Sequence, residues 1–436
     1  MGTEITLEVG GLTLYWCKNS RGIDHGMLFQ VKDRKRINSD QINYDYFREN
    51  NEDPGAMEMA FCKPLKEVVP RIELLGFTLD QVRCEYLSLA EKWCEECQAM
   101  ADEEEESIPD AMTFEEFCTF ATAYPIESLD DTFISSFDDE GKVQIRGRFG
   151  DMKITSRLPY FSLNDINAYS ERSYFAGLIG FMPPYSLLRL LAQNTSNLDS
   201  DVVWQYGPLV ENGWASASEF THGARRKQTF LIATEGSSDT HILRHAISLL
   251  RPEISDFFRF IDVSDRHPFP GTGNLLKFAE GLIKIDVQNQ IVFVFDNDGE
   301  GSGAYQQLLY WELPPNMRAM VLPTLDQFFT FPVRGPEGVT NADINGRAAA
   351  IECYLDLDLE GYPPARVLWT NYKKDIDLYH GALEHKESYT RAFLKQTIDT
   401  ISAGTYCIDK LQVVLDTIIS ECCSAAMESR RSNDVS

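Results

Sequence analysis

Basic residues are in short supply in this chain of 436 residues: 40 lysines and arginines face 67 acidic residues, for a net charge of −27. Affinity for nucleic acid comes mostly from neutralising phosphates. A chain of this charge therefore has no general pull on DNA or RNA, and holding either would take metal ions, a local basic lining or a partner. Long apolar runs are missing too. The most apolar stretch, FAGLIGFMPPYSLLRLLA from Phe175 to Ala192, is broken by two prolines and carries Arg189, which excludes it as a membrane span. No basic segment leads into an apolar run near Met1, so no secretory signal is expected. The ten cysteines lack a secreted-type spacing, and Cys94 and Cys97 form a lone CxxC inside a helical pattern, which reads as helix surface rather than a zinc site. A cytoplasmic protein with reduced thiols and no membrane contact is expected.

What is present is enough for a sizeable core. Hydrophobic residues make up 43% of the chain and aromatics 11%, and the length allows two domains. TEITLEVGGLTLYWCKN alternates around Gly10 and Gly11 and predicts a hairpin, with a further strand in DHGMLFQVKDRKRI. From Met57 to Met100 the spacing turns helical, with Thr78 as an N-cap. The acidic run Asp102 to Glu106 reads as a solvated linker or helix end rather than a binding tail. KVQIRGRFGDMKITSRL predicts a second hairpin, and Leu163 to Glu211 a mostly helical stretch. Glu211 to Gln228 is polar and without apolar period, which places a domain boundary there: an α+β domain over 1–220 and a second domain over 228–436.

The second domain is patterned differently. TFLIAT, FFRFIDVSD, QIVFVF and MRAMVLP read as strands, alternating with helical segments that begin near Ser238, at GTGNLL, at GAYQQLL and near Asn345. Such alternation predicts an α/β domain with a mostly parallel sheet flanked by helices. Ligands of such sheets gather at the carboxyl ends of the strands. There the chain sets its acids. Glu235 follows the first strand directly, and Asp296, Asp298 and Glu300 follow QIVFVF at alternate positions. Carboxylates gathered at one sheet edge repel one another unless a cation neutralises them or some hold protons, and hard oxygen ligands suit Mg²⁺ or Mn²⁺. DNDGEG alone also fits a calcium-loop start or a plain turn, but the calcium loop requires an acid where Gln307 stands.

The spaced set FLIATEGSSDTHIL and IVFVFDNDGEG resembles the TOPRIM domain of topoisomerases, DnaG-type primases and OLD-family nucleases. That resemblance implies Glu235 as general acid/base, Asp296 and Asp298 as ligands of divalent metal, and Asp239 and Glu300 as support for the metal shell. NGRAAAIECYL and YHGALEHKESYTRAF are similar to the nuclease branch, which implies Glu352 on a helix as a further metal-binding acid and Lys386 as the cation that offsets charge in the transition state. TLYWCKNSRGIDHGMLFQ and LKEVVPRIELLGFTLDQV look like the HEPN/Toprim-associated N-terminal domain of bacterial proteins, which implies a role against phage or other foreign nucleic acid. The R-x4–6-H motif of HEPN RNases does not occur, nor does G-x4-G-K-[ST], so an ATPase or sensor would have to act in trans.

The expectation is metal-dependent phosphodiester cleavage, of DNA rather than RNA, with a homo-oligomer open. The competing reading is a regulatory or recruiting protein whose acidic pocket only binds metal. Two basic patches, Arg225 to Lys227 and Lys373 with Lys374, suit either a nucleic-acid backbone track or solvated loops. His241 and His245 stand one helical turn apart without a third ligand, as surface or packing residues do. The GTG of FPGTGNLL, before a helix, reads as a turn, with phosphate contact at that helix start as the alternative.

Overall fold

The computed structural model describes residues 2–39, 41–104, 110–136, 138–160, 166–261, 271–373 and 378–434. They form two compact units, 1–224 and 225–436.

In the first unit, five strands form one antiparallel sheet: β1 (Glu4–Val9), β2 (Leu12–Lys18), β3 (Arg34–Arg36), β4 (Met59–Pro64) and β5 (Asp201–Gln205), in the order β2-β1-β5-β4-β3. The expected hairpin is β1–β2, turning on Gly10 and Gly11, both at positive φ. The central strand β5 comes from the stretch expected to be helical. Its five residues put Val202 and Trp204 into the core, and Trp204 stacks on Phe61 of β4 at 6.0 Å. Helices cover the sheet. In Pro184–Leu191, five residues of the SLLRLL run and its leading tyrosine are buried, and the helix packs on Leu65–Leu74 and on Leu79–Glu104. Thr78 accepts the Gln81 N–H at the start of the last of these. Cys94 is exposed on it, Cys97 half-buried, and all ten cysteines are free.

Two local expectations are corrected here. The segment expected as a second hairpin is helical at Asp139–Arg146 and again at Met152–Thr155. Asp138 caps the first of these through the Gly141 N–H (2.8 Å), and Gly141 and Ile145, four apart, are its buried residues, so the 3.6-residue period wins over the apparent alternation of VQIR. The strand expected after Asp24 is mostly two tight turns, Gly26–Leu28 and Val31–Asp33, with only Arg34–Arg36 extended.

The second unit is built on a parallel sheet of β6 (Phe230–Thr234), β7 (Phe258–Phe260), β8 (Gln290–Phe295) and β9 (Met317–Val321), ordered β7-β6-β8-β9. The α/β expectation is met in this sheet. Ala233, Ile291, Phe293 and Phe295 pack with Leu275 and Ala279 of helix Thr272–Lys284 and with Ala304 and Leu308 of helix Gly299–Leu309. Helix Asp409–Asp434 packs on β8 and β9, and helix Ser237–Leu250 on β6. β8 is thus buried on both sides, as its unbroken apolar run requires. Beyond β9 comes a sheet that the sequence does not announce. β10 (Phe331–Gly335), β11 (Gly338–Ala342), β12 (Val367–Lys373) and β13 (Leu378–Leu383) form two hairpins joined through a parallel β10–β12 pair. The helix expected near Asn345 is absent; Ile351–Tyr354 is a single 3-10 turn. Among the described residues no helix is long and apolar enough to cross a membrane.

Candidate acidic site at the sheet edge

β6 and β8 are neighbours in parallel register, Thr234 beside Val294, so the residues that follow them emerge at one edge. Glu235 and Asp296, 61 positions apart, meet there: the Asp296 N–H donates to Glu235 Oε1 at 3.0 Å. The second Glu235 oxygen accepts the Thr272 hydroxyl, and the Gly271 N–H donates to the Glu235 carbonyl at 2.9 Å. Gly271, at φ 88°, turns the chain into the helix that brings Thr272 up. The GTG stretch is therefore a turn with a task, orienting the Glu235 carboxylate.

Each remaining acid is held by the backbone next to it. Asp239 lies in the first turn of helix Ser237–Leu250, buried, and accepts the Gly236 N–H at 2.9 Å. Asp298 caps helix Gly299–Leu309; its Oδ1 accepts from the N–H groups of Glu300 (2.9 Å) and Gly301 (2.7 Å). Glu300 is exposed in that helix's first turn. Glu352 is buried in the turn Ile351–Tyr354, and the Ile351 N–H donates to Asp296 Oδ1 at 3.1 Å. So Glu352 reaches the edge from a turn and not from the expected helix.

The clamp that brings that turn in is Asn297, which sequence reasoning passed over. Its backbone forms a two-way bridge with Ala349, and its buried side chain accepts the Gly346 N–H at 2.8 Å. Asn345 in turn holds Leu325 through both its side-chain atoms. An Asn between two acids reads as a loop residue; its partners lie 49 and 52 positions away, and no local pattern reveals them. His380, on β13, was passed over as well. It is buried, its Nε2 has no hydrogen-bond partner among the described residues, and its field pulls the Asp298 carboxyl downward.

The acids act on one another. Burial lifts Asp296 well above the carboxylate range, reinforced by the charges of Asp239, Glu235, Asp298 and Glu352. Asp239 is pushed up to about 7, by burial first and then by Glu352 and Glu235. Glu235 is raised by burial and by Asp298 and Glu300, against the hydrogen bonds from Thr272 and Asp296. Burial also raises Asp298, against its two helix N–H bonds. Carboxylates crowded in this way keep protons unless an opposite charge neutralises them.

Among the described residues no three His, Cys, Asp or Glu side chains close into a ready-made metal cage. The donor set nonetheless fits Mg²⁺ or Mn²⁺, hard ions that are held by one or two carboxylates and keep several waters for exchange with phosphate oxygens. Gly301 guards the geometry. A Cβ there would stand 2.2 Å from the Asp296 carbonyl oxygen, so Gly301→Ala must displace the Asp296 backbone. The variant is expected to fold with an intact first unit yet lose any Mg²⁺-induced rise in melting temperature, as thermal scans with and without the ion will show.

The expected cations differ in their placement. Lys386 is exposed at the first turn of helix Lys386–Phe393, which packs on the Glu352 turn, and among the described residues no ion pair joins it to an acid. Arg225, Arg226 and Lys227 precede the amino end of β6. Five residues of strand put them about 17 Å from the acidic edge. Lys373 ends β12, and Lys374 lies outside the described residues.

Compared with known families, residues 1–228 match the HEPN/Toprim N-terminal domain 1. The chain belongs to this family. The match ends where β6 is about to begin, so it takes in the antiparallel sheet and its helices and leaves the acidic edge outside it. No curated protein and no solved structure matches the chain. The description of that family points to a nucleic-acid-related role.

Proposed function

We propose that the second unit is a TOPRIM-like nuclease of the OLD branch. In this reading it hydrolyses phosphodiester bonds, in DNA rather than RNA, with Mg²⁺ or Mn²⁺ held among Asp296, Asp298, Glu235 and Glu352. The observation that carries the proposal is the convergence of these acids at the carboxyl edge of a parallel sheet, where the Asp296 N–H binds Glu235, the Glu352 turn is tied to Asp296 through the Ile351 N–H, and Asp298 caps the next helix. Bound there, the ion supplies a Lewis acid for the phosphoryl group and acidifies water. Asp298 has Oδ1 taken by the helix N-terminus, which leaves Oδ2 for a cation. Asp239 and Glu300 add negative field around it. Glu235, aligned by Thr272 and the Asp296 N–H and raised by burial, takes the proton from the attacking water. Lys386 approaches the phosphoryl group from the helix that packs on the Glu352 turn. Arg225, Arg226 and Lys227 contact the backbone away from the chemistry, and Lys373 and Lys374 add further backbone contacts.

This reading sets the protein in bacterial defence against phage or foreign DNA, in the cytoplasm, with an ATPase or sensor acting in trans and self-association of the chain open; the family of the first unit supports its link to nucleic acid. A second reading has its own support: the absence, among the described residues, of a preformed three-ligand group suits a regulatory protein whose pocket binds metal without turnover. Incubating plasmid DNA, single-stranded DNA and tRNA with the full chain across Mg²⁺ and Mn²⁺ titrations separates the two. Cleavage that requires the ion supports the nuclease; metal binding by calorimetry with all three substrates intact supports the regulator.

A further inference from the structure

A second feature of the same unit has no place in the acidic site. Helix Ser237–Leu250 presents His241, Arg244, His245 and Ser248 to a depression of about 420 Å³, with Leu394 on the far wall. These four positions recur at three and four residues, so they share one helix face, which runs about 10 Å along the axis. The face is cationic in a chain of net charge −27. From Thr240 to Pro252 the sequence contains no acid, and among the described residues no ion pair ties Arg244 or His241 to a carboxylate. Arg244 is exposed, with its guanidinium carbon 5.6 Å from the centroid of the Phe260 ring. An arginine braced on an aromatic face keeps its donor fork for a planar or tetrahedral anion. His245 is fixed by a contact of 3.1 Å from Nε2 to the Gln396 carbonyl and by the edge of Phe393. On the Leu394 side, Arg391 and Lys395 are exposed and also lack ion pairs among the described residues.

We infer that this groove holds the phosphate backbone of a single nucleic-acid strand. It supplies the local basic lining that the overall charge withholds, and its length accommodates more than one phosphate along a strand. The inference rests on the nucleic-acid reading of the acidic edge. Its position agrees with that reading: the two helices beside the groove begin near Asp239 and at Lys386, and both pack on the turn that carries Glu352.

The test is binding, read apart from cleavage. Anisotropy of a short labelled single-stranded oligodeoxynucleotide is titrated with the full chain in chelator, over a range of salt. Arg244→Glu is expected to weaken binding at low salt by about tenfold or more and to flatten the salt slope by about 1 to 2. Lys18→Glu, the same charge change on the first unit, should leave both within about twofold of wild type. Asp296→Asn should not weaken binding. If Arg244→Glu loses binding while no metal supports cleavage by the wild type, the groove stands and the hydrolytic reading fails. If cleavage proceeds and Arg244→Glu binds with unchanged affinity and slope, the groove assignment is overturned. It is equally overturned if the wild type binds no oligonucleotide, if Lys18→Glu weakens binding as much, or if polyglutamate displaces the strand at equal charge, which would mark a site for an acidic protein.

Discussion

Asp296→Asn is expected to abolish metal-dependent cleavage, by at least about a thousandfold, while making the metal-free protein harder to unfold. The two effects have one cause. Asp296 is the acid raised furthest by its setting: burial acts first, and Asp239, Glu235, Asp298 and Glu352 add their charges. In the absence of a cation the folded protein either keeps a proton on it or bears the repulsion. Asparagine keeps the shape and leaves a carbonyl oxygen to accept the Ile351 N–H, now 3.1 Å from Oδ1, so the Glu352 turn stays in place. What disappears is the charge. The relief should be visible near neutral pH as a melting temperature raised by several degrees in chelator. The same variant should gain little from Mg²⁺ or Mn²⁺. A protein that still cleaves, or that melts lower than wild type without metal, would show that Asp296 is a structural acid. Asp296→Ala makes a useful companion: it loses the hydrogen bond to Ile351 as well, so cleavage is lost without the gain in stability.

How much of this was legible beforehand follows from the range of the interactions involved. β8 and its acids could be read because the signal is local: five apolar residues in succession, then charge at alternate positions. Glu235 could be paired with Asp296 because parallel strands must end at one edge. The route by which Glu352 arrives could not be read. Its segment, DINGRAAAIECYL, has the apolar content of a helix, but Asn297 captures the Gly346 N–H and the Ala349 backbone first, and a residue's partners some fifty positions away leave no periodic trace. Thr272 and His380 escaped for the same reason. In the first unit the error was one of period. VQIR alternates over four residues, too few to outweigh a capping Asp138 and the four-residue spacing of Gly141 and Ile145. β5 shows the reverse: five residues between helices hold the centre of the sheet because β1 and β4 both pair with it, and that pairing is invisible in the segment itself.

The second unit without metal is expected to become less stable as pH rises from about 5 to 8, and Mg²⁺ or Mn²⁺ should largely remove that dependence; buried His25, lowered to about 3 and acting in the opposite sense, lies in the first unit. The sign follows from proton counts. Unfolded aspartates and glutamates ionise near pH 4, whereas Asp239 ionises near 7 in the fold and Asp296, Glu235 and Asp298 are also raised. Between those limits the folded state holds more protons than the unfolded one, so stability falls as pH climbs. Below about pH 4 both states are protonated and the penalty is absent; above the folded values it is complete. Carrying Asp239 from 3.8 to about 7 corresponds to about 4 kcal/mol at full ionisation. A divalent ion reverses the balance, because it binds the ionised acids of the fold and has no assembled site in the unfolded chain. Calorimetric scans in chelator and in Mg²⁺ across this pH range decide the matter. A flat pH profile of the second unit's transition in chelator would mean that the carboxylates are not crowded as the structure has them, and equal slopes with and without the ion would mean that no cation enters among them. Asp239→Asn sharpens the result: it removes a group that itself ionises near 7 in the fold and relieves Asp296 of one charged neighbour, so the slope in chelator should become shallower.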